Sequence, residues 1–173
     1  MNKSTAFAII VFSFMSFFLY QGLYNDPKKV ESPLIGKEFP KFQLNDLFIN
    51  IAHDNNSLQN KKTIINVWAS WCLECEREHS HLIALSKDKD FDLVGINYKD
   101  NADDAKGWLN MRGNPYRIIV ADHSGDLSLD LGVYGVPETY IIDENQVILY
   151  KHIGPINNRI IQQEMMPLLG NME

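Results

Sequence analysis

The chain has 173 residues, which is enough for one domain with a hydrophobic core and an additional segment. Its formal net charge is −6 and no basic stripe runs along the sequence, so we expect no nucleic-acid partner. The two cysteines lie in one motif and therefore predict no disulfide framework of the kind that supports small secreted domains.

The first element in chain order is an apolar segment near the N-terminus. Residues 6–23 contain no charge and are rich in Phe, Ile and Leu, and about 17–25 apolar residues suffice to span a bilayer. The residues that follow lack the small-residue site at which a signal peptide is cleaved. We therefore predict a cytoplasmic tip and an uncleaved transmembrane signal-anchor over residues 1–24, a linker over 25–32 and a folded domain over 33–173.

Strand and helix patterns alternate through the rest of the chain. The predicted strands are residues 41–44, 63–68, 91–97, 116–121, 139–143 and 147–152. The predicted helices are residues 72–87, 102–111, 126–131 and 157–169, with Gly113 ending the second and Pro167 disturbing the last turn of the fourth. Residues 53–56 form a turn cluster, after which Ser57 is placed to cap a short helix. This order predicts an α/β domain with a mixed central sheet flanked by helices.

The motif that carries chemistry is Trp71-Cys72-Leu73-Glu74-Cys75, where a predicted strand gives way to a helix. A C-x-x-C pair at such a junction is typical of a dithiol redox site. The helix N-terminus directs backbone N–H groups and the positive end of the dipole toward Cys72, which favours its thiolate. Cys75 lies one turn further, within reach for a disulfide and expected to be shielded from solvent. Trp71, directly before Cys72, also favours redox chemistry over a structural role.

Two other uses of the cysteines are disfavoured. A zinc site needs about four N or S ligands, yet the chain has no second cysteine pair, and His79 and His81 would share one helix with Cys75. A purely structural disulfide over so short a loop would constrain the unfolded chain little. We therefore expect no metal, and no cofactor other than a redox-active disulfide between Cys72 and Cys75.

Sequence blocks across the domain match a known family pattern more specifically than C-x-x-C does. The blocks are residues 34–37, 40–42, 66–72, 78–79, 95–100, 113–116 and 129–139. They cover nearly the whole chain after the linker, and the last two blocks, residues 113–116 and 129–139, are far more specific than C-x-x-C. Together they resemble the CcmG/DsbE family, the membrane-anchored thioredoxin-like proteins of cytochrome c maturation. The resemblance implies a thioredoxin-like fold with a mixed central sheet, preceded by one N-terminal transmembrane helix.

The same resemblance implies a function and a location. The chain would be a periplasmic thiol-disulfide oxidoreductase held at the bacterial inner membrane by a single span. It would reduce cysteines of apocytochrome c, or of a partner that handles apocytochrome, so that haem can be attached. Its electrons would come from a membrane thiol carrier of the DsbD or CcdA kind. Glu76 follows Cys75, so the chain has no haem-attachment C-x-x-C-H motif of its own.

Further site residues follow from the resemblance. The Val136-Pro137 bond would be cis and would lie against the cysteines, offering backbone groups to an extended peptide. Glu138 would shape substrate choice, or would only begin a strand. Asn66 occupies the place of a buried aspartate that helps deprotonate the second cysteine in ordinary thioredoxins. An amide is no base, so that role would pass to Glu78, one helical turn beyond the second cysteine, unless Glu78 is exposed.

Acidic residues surround the motif. Glu74 lies between the cysteines, and Glu76 and Glu78 follow. Nearby negative charge disfavours a thiolate and so favours a reductant over an oxidant. The alternative is that Glu74 and Glu76 are solvated residues of an early helical turn. Many family members have Pro after the first cysteine, where this chain has Leu73-Glu74, and the loss of Pro loosens the motif without removing the dithiol.

Two other function classes stay open at this point. One is a general periplasmic reductase, or an oxidant, of the same fold. The other is a metal-delivery module that uses Cys72, Cys75 and a histidine. The blocks at Tyr98-Lys99-Asp100 and residues 132–139 favour the cytochrome-maturation reductant over the general reductase or oxidant. Stoichiometric copper or zinc on the reduced domain would favour the metal-delivery module.

Overall fold

The computed structural model describes residues 2–23 and 32–170. The chain divides into two units, Met1–Glu31 and Ser32–Glu173. The first contains helix α1, Lys3–Leu23, whose described large apolar side chains are exposed. Within the described ranges, no helix has both the length and the apolar character needed to cross a membrane. The predicted linker lies outside the described residues except for residue 32.

A mixed five-stranded sheet forms the centre of the second unit, and a two-stranded hairpin precedes it. The strands are β1 Gln43–Asn45, β2 Ala52–Asp54, β3 Thr63–Trp68, β4 Asp92–Tyr98, β5 Ile118–Asp122, β6 Glu138–Ile142 and β7 Ile148–Ile153. The order in the large sheet is β5-β4-β3-β6-β7. β3, β4 and β5 pair in parallel, whereas β6 pairs antiparallel with β3 and β7. The predicted mixed sheet is confirmed.

Helices supply the crossovers that parallel strands require. The helical segments of residues 32–170 are a 3-10 turn Asn55–Leu58, α2 Leu73–Leu85, α3 Ala102–Arg112, α4 Asp126–Asp130, α5 Asn158–Ile160, a π-helical stretch Ile161–Met165 and α6 Met166–Leu169. α2 connects β3 to β4, and α3 connects β4 to β5. Gly113 follows α3 with a φ of +89°, a conformation that glycine adopts without strain, so the predicted helix stop is confirmed.

Strand β3 separates the core into two layers. All its residues are buried, and successive side chains of a strand point to opposite faces. Ile64 and Trp68 belong to the layer that holds both cysteines and side chains of α2, α3 and the C-terminal helices, whereas Ile65 and Val67 belong to the other layer. Asn66 lies at the centre of β3 and is completely buried. Its polar side chain therefore needs hydrogen-bond partners within the core.

Two local predictions are wrong. Strand β2 occupies His53-Asp54, which the sequence indicated as a turn, because β2 pairs with β1 in a hairpin. Asp54, and not Ser57, caps the 3-10 turn by accepting a hydrogen bond from the Asn56 N–H at 2.9 Å. A short carboxylate reaches the N–H two residues ahead of it, so the turn begins earlier than predicted.

The C-terminal helix is disturbed by Pro167, but over a longer stretch than the predicted last turn. Asn157 caps its start with a side-chain hydrogen bond from the Ile160 N–H at 3.1 Å. The backbone then widens into the π-helical stretch Ile161–Met165 before Pro167. Proline lacks an N–H and its ring crowds the preceding turn, which accounts for the widening there.

Gly95→Ala is expected to destabilise the domain. A Cβ atom at Gly95 would lie 2.9 Å from Trp68 Nε1 and 3.0 Å from two ring carbons of Tyr116. Both rings are buried and stack with centroids 5.8 Å apart, so neither has room to move away. We expect the free energy of unfolding in urea to fall by about 1–3 kcal/mol.

The matched control for this prediction is Gly107→Ala in α3, where nothing lies within 4 Å of an added Cβ. Alanine is the better helix former, so this variant should gain about 0.5–1 kcal/mol. Equal stability of Gly95→Ala and wild type would contradict the close packing of the two rings.

Candidate active site

The two cysteines lie at the junction between β3 and α2. Cys72 is the N-cap residue of α2, and Cys75 lies in its first turn. Their sulfurs form a disulfide, and the Cys75 N–H donates a hydrogen bond to Cys72 Sγ at 3.0 Å. Cys72 is 6% exposed and Cys75 is 2% exposed. Because N–H groups at a helix N-terminus stabilise negative charge, this position favours a thiolate on Cys72 when the pair is reduced.

Asp100 holds the loop that leads from β3 to the cysteines. Its carboxylate accepts hydrogen bonds from the Ser70 N–H at 2.5 Å and from the Ser70 hydroxyl at 2.8 Å. Next in the loop, Trp71 donates its indole N–H to the Lys99 carbonyl at 3.3 Å, with 60% of the residue exposed. The block Tyr98-Lys99-Asp100 therefore packs against the residues before Cys72.

Glu78 lies on α2 one turn after Cys75 and is completely buried. Its Oε1 accepts a hydrogen bond from the Asn66 amide at 2.8 Å, and its Oε2 accepts one from the Ile156 N–H at 2.8 Å. Burial raises the pKa of Glu78 to about 7, against the opposing effect of these two hydrogen bonds. The alternative of an exposed Glu78 is wrong, and the carboxyl group is able to exchange a proton near neutral pH.

Asn66 joins Glu78 to a wider buried network. The Tyr116 hydroxyl donates to Asn66 Oδ1 at 2.7 Å, and the Asn66 amide nitrogen also lies 3.2 Å from the Thr139 hydroxyl. Burial, followed by the charge of Glu78, raises the pKa of Tyr116 well above its usual range, so this hydroxyl stays a donor. Asn66 is thus a bridge that orients the carboxyl group.

The Val136–Pro137 peptide bond is cis, as the resemblance implies. β6 begins directly after it, and Glu138 in β6 pairs with Val67 near the end of β3. The cis bond therefore lies at the edge of the sheet where β3 leads to the dithiol. Val136 packs against the core layer that contains both cysteines, and the Pro137 carbonyl accepts a hydrogen bond from the Gly154 N–H at 2.9 Å.

Glu138 begins β6 and is completely buried. Its Oε2 lies 3.0 Å from Lys151 Nζ and 2.8 Å from the Tyr140 hydroxyl. Its Oε1 accepts a hydrogen bond from the Tyr134 N–H at 2.8 Å. The carboxylate is therefore engaged with side chains and backbone of its own domain.

The other two acidic residues near the motif form ion pairs at the surface. Glu74 pairs with Arg77 at 2.6 Å, and Glu76 pairs with Arg112 at 2.8 Å. All four side chains are between 30% and 65% exposed, so water and salt screen their charges. Both glutamates are therefore solvated residues of an early helical turn, and their charges are paired. The argument that nearby negative charge disfavours the thiolate, and so favours a reductant, is weakened.

The histidine beside the motif serves the core. Nε2 of the buried His79 lies 3.0 Å from the Gly113 carbonyl, and its ring meets Trp108 edge-on at 4.6 Å. Burial lowers the pKa of His79. Within residues 2–23 and 32–170, no three His, Cys, Asp or Glu side chains form a group able to hold a metal ion.

Several residues of the site had no predicted role. Asp100 and Tyr116 stand in blocks that resemble the family pattern. The blocks marked both residues as part of that pattern but did not indicate what either side chain does. No sequence pattern indicated Ile156 or Lys151 as site residues, because each reaches the site only through the pairing of distant segments.

Comparisons with known proteins agree with this geometry. The Redoxin family model matches residues 34–165. A relative from Vibrio cholerae, thiol:disulfide interchange protein DsbE, is 42% identical over 183 residues, covering 99% of this chain and 97% of the relative. The DsbE protein of Escherichia coli K12 is 44% identical over 152 residues, covering 83% of this chain and 78% of the relative.

A solved structure supports the fold alone. The crystal structure of a DsbF homologue from Corynebacterium diphtheriae superposes with a TM-score of 0.68 at 17% identity. It covers 81% of this chain and 94% of that protein. The sheet and helices around the dithiol are thus those of a thioredoxin-like fold.

Proposed function

We propose that this chain, which belongs to the Redoxin family and within it to the DsbE thiol:disulfide interchange proteins, serves cytochrome c maturation as a reductant. It is a thiol-disulfide oxidoreductase with the Cys72–Cys75 pair as its redox centre. The proposed substrate is a disulfide in apocytochrome c or in a partner that handles apocytochrome. The observation that carries the proposal is the family pattern in residues 132–139, within which Val136 packs against the core layer that contains both cysteines.

The proposed reaction begins at Cys72. Its thiolate attacks one sulfur of the substrate disulfide, a new S–S bond forms between Cys72 and the substrate, and the other substrate sulfur leaves as a thiolate. Cys75 then attacks Cys72 Sγ, which releases the second substrate thiolate. The substrate gains two electrons and the protein ends as the Cys72–Cys75 disulfide seen in the structure.

Glu78 is the proposed proton acceptor for Cys75. It stands one turn along the same helix, and its pKa of about 7 suits proton transfer near neutral pH. Asn66 holds one carboxyl oxygen and the Ile156 N–H holds the other, so the group has a defined orientation. Deprotonation of Cys75 is what the second step requires, because the thiolate is the nucleophile.

The substrate is proposed to bind as an extended peptide along residues 136–138. Tyr134, at 87% exposure, lies two residues before this position, and Trp71, at 60% exposure, directly precedes Cys72. Aromatic rings of this kind provide contact area to a peptide at low entropic cost. Glu138 is buried and would not contact the peptide. It would position the site by accepting the hydrogen bond from the Tyr134 N–H.

A periplasmic location and an inner-membrane anchor over residues 1–24 remain proposals that rest on the uncharged run of residues 6–23. The proposed electron donor is a membrane thiol carrier of the DsbD or CcdA kind. Cell fractionation tests the location, and recovery of the full chain entirely in the soluble fraction would contradict the anchor.

A peptide assay tests the substrate. The reduced full-length chain is mixed with a disulfide-bonded C-x-x-C-H peptide from an apocytochrome c, and with a shuffled peptide of equal length that keeps the disulfide. We expect the cytochrome peptide to be reduced at least about tenfold faster. Deletion of the gene should lower holocytochrome c in cells, and an added small-molecule thiol should partly restore it.

The second candidate is a general periplasmic reductase of the same fold. The exposed aromatic ring of Tyr134, two residues before Val136, would also accept unrelated peptides, which is the observation in its favour. Equal rates with both peptides, and unchanged holocytochrome c in the deletion strain, would favour it. A metal-delivery module would instead bind copper or zinc stoichiometrically in the reduced protein.

A further inference from the structure

The side chain of one lysine is buried against the segment that carries the cis-proline bond. The Lys151 side chain is 5% exposed, and its Nζ lies 3.0 Å from Oε2 of the fully buried Glu138. The same ammonium group donates a hydrogen bond to the Gly132 carbonyl at 2.7 Å. Removing two charges from water costs several kcal/mol per ion before their attraction offsets it. An ion pair that is retained despite this cost suits a role in holding the neighbouring backbone in place.

The ammonium group also meets two aromatic rings. Lys151 Nζ lies 5.1 Å from the ring centroid of Tyr134 and 5.3 Å from that of Tyr140. Both distances allow a cation–π attraction, which is stronger where water is excluded. Tyr140 is completely buried, whereas Tyr134 is 87% exposed. The lysine therefore supports, from within the domain, a ring that is open to a binding partner.

The ion pair holds the backbone of residues 132–137, which we name the cis-proline segment. Lys151 binds the Gly132 carbonyl at the start of the segment, and Glu138 binds the Tyr134 N–H within it. Glu138 directly follows Pro137, and Lys151 pairs with Tyr140 across β6 and β7. Lys151 and Glu138 thus attach the segment to the sheet, one through a backbone carbonyl and the other through a backbone N–H.

We propose that Lys151 is a positioning residue for the peptide substrate. Through the Gly132 carbonyl and Glu138 it holds the cis-proline segment, and with it the ring of Tyr134, where an extended peptide meets the dithiol. The inference rests on the proposed reduction of a peptide disulfide but not on the peptide being a cytochrome. Lys151 acts through the segment and not on the sulfurs, so it affects peptide binding and leaves the reactivity of Cys72 toward a small disulfide unchanged.

Steady-state kinetics with two substrates tests this inference, with excess dithiothreitol to reduce the Cys72–Cys75 disulfide after each turnover and the rate without protein subtracted. The full-length wild type, Lys151→Met and Lys151→Arg are compared with a disulfide-bonded C-x-x-C-H peptide and with hydroxyethyl disulfide. For Lys151→Met we expect KM for the peptide to rise about tenfold at nearly unchanged kcat, and the rate with hydroxyethyl disulfide to stay within about twofold. Lys151→Arg keeps the charge and the donors, so it should recover most of the peptide KM.

The matched control is Lys62→Met. Lys62 is half-buried and also donates its ammonium hydrogen to a carbonyl, that of Leu168 at 2.8 Å. It precedes the start of β3, at the opposite end of the strand from the dithiol. We expect this variant to match the wild type with both substrates.

A double variant covers the case in which Lys151→Met fails to fold because Glu138 is left unpaired. Lys151→Met with Glu138→Gln removes both charges and should show the same rise in peptide KM. An equal loss of rate with both substrates, or an unchanged peptide KM in the folded variants, would overturn the inference. Equal wild-type rates with cytochrome and shuffled peptides would instead reject the proposed function and leave the inference standing.

Discussion

Cys75→Ala is expected to accumulate a mixed disulfide on Cys72 that the wild-type chain resolves quickly. In the proposed reaction Cys72 attacks and Cys75 resolves, so removing Cys75 stops exchange after its first step. Cys72→Ala should accumulate little, because the remaining thiol is only 2% exposed. Non-reducing electrophoresis of cells that express each variant measures the trapped species, and mass spectrometry identifies it.

The identity of the trapped species separates the two candidate functions. Apocytochrome c, or a protein that handles it, should be prominent on Cys75→Ala if the maturation proposal holds. A wide range of exported proteins would favour the general reductase. Trapping on Cys72→Ala that equals trapping on Cys75→Ala would mean that the assigned roles of the two sulfurs are wrong.

Glu78→Gln is expected to slow the resolving step about a hundredfold, the range of a lost general base. The variant would then have no buried carboxylate on the helix of Cys75, since Glu74 and Glu76 pair with arginines at the surface. In the wild type, the rate of this step should rise with pH as Glu78, whose pKa is about 7, loses its proton. Stopped-flow fluorescence of the reduced protein with a peptide disulfide measures the step, and the inflection near pH 7 should be absent in the variant.

The same carboxyl group should make stability depend on pH. Its pKa rises from 4.5 to about 7 on folding, so the folded state holds this proton more tightly than the unfolded state. The stabilisation is fully present below pH 4.5 and is lost as pH rises through 7. Its size is on the order of 3 kcal/mol by linkage. Glu78→Gln should lack this dependence, so the stability difference between wild type and variant should change across that window.

Urea unfolding of the oxidised protein at several pH values measures this effect, because the disulfide keeps both thiols from titrating. Glu76→Gln is the matched control, since Glu76 lies on the same helix but pairs with Arg112 at the surface. It should retain the wild-type pH dependence. Parallel curves for wild type and Glu78→Gln would contradict the raised pKa.

Several parts of the molecule were predictable because their causes are local. β3 runs over Thr63–Trp68 as predicted, since a short apolar run of β-branched residues favours a buried strand. The N-cap position of Cys72 also follows from neighbouring residues, because a helix start is determined within about one turn. The cis bond before Pro137 was predicted from the family pattern and not from the residues themselves.

The mixed α/β domain and the position of the dithiol where a strand meets a helix were predictable, because these features depend on patterns within one segment. Which acidic residue is buried became evident only in the folded domain. Burial within the folded domain raises the pKa of Glu78 to about 7, and Asn66 and Ile156, from two distant segments, bind its two carboxyl oxygens. Glu74 remains at the surface beside Arg77. The buried pair of Glu138 and Lys151 arises in the same way, since burial and charge pairing depend on distances in space that no sequence window contains.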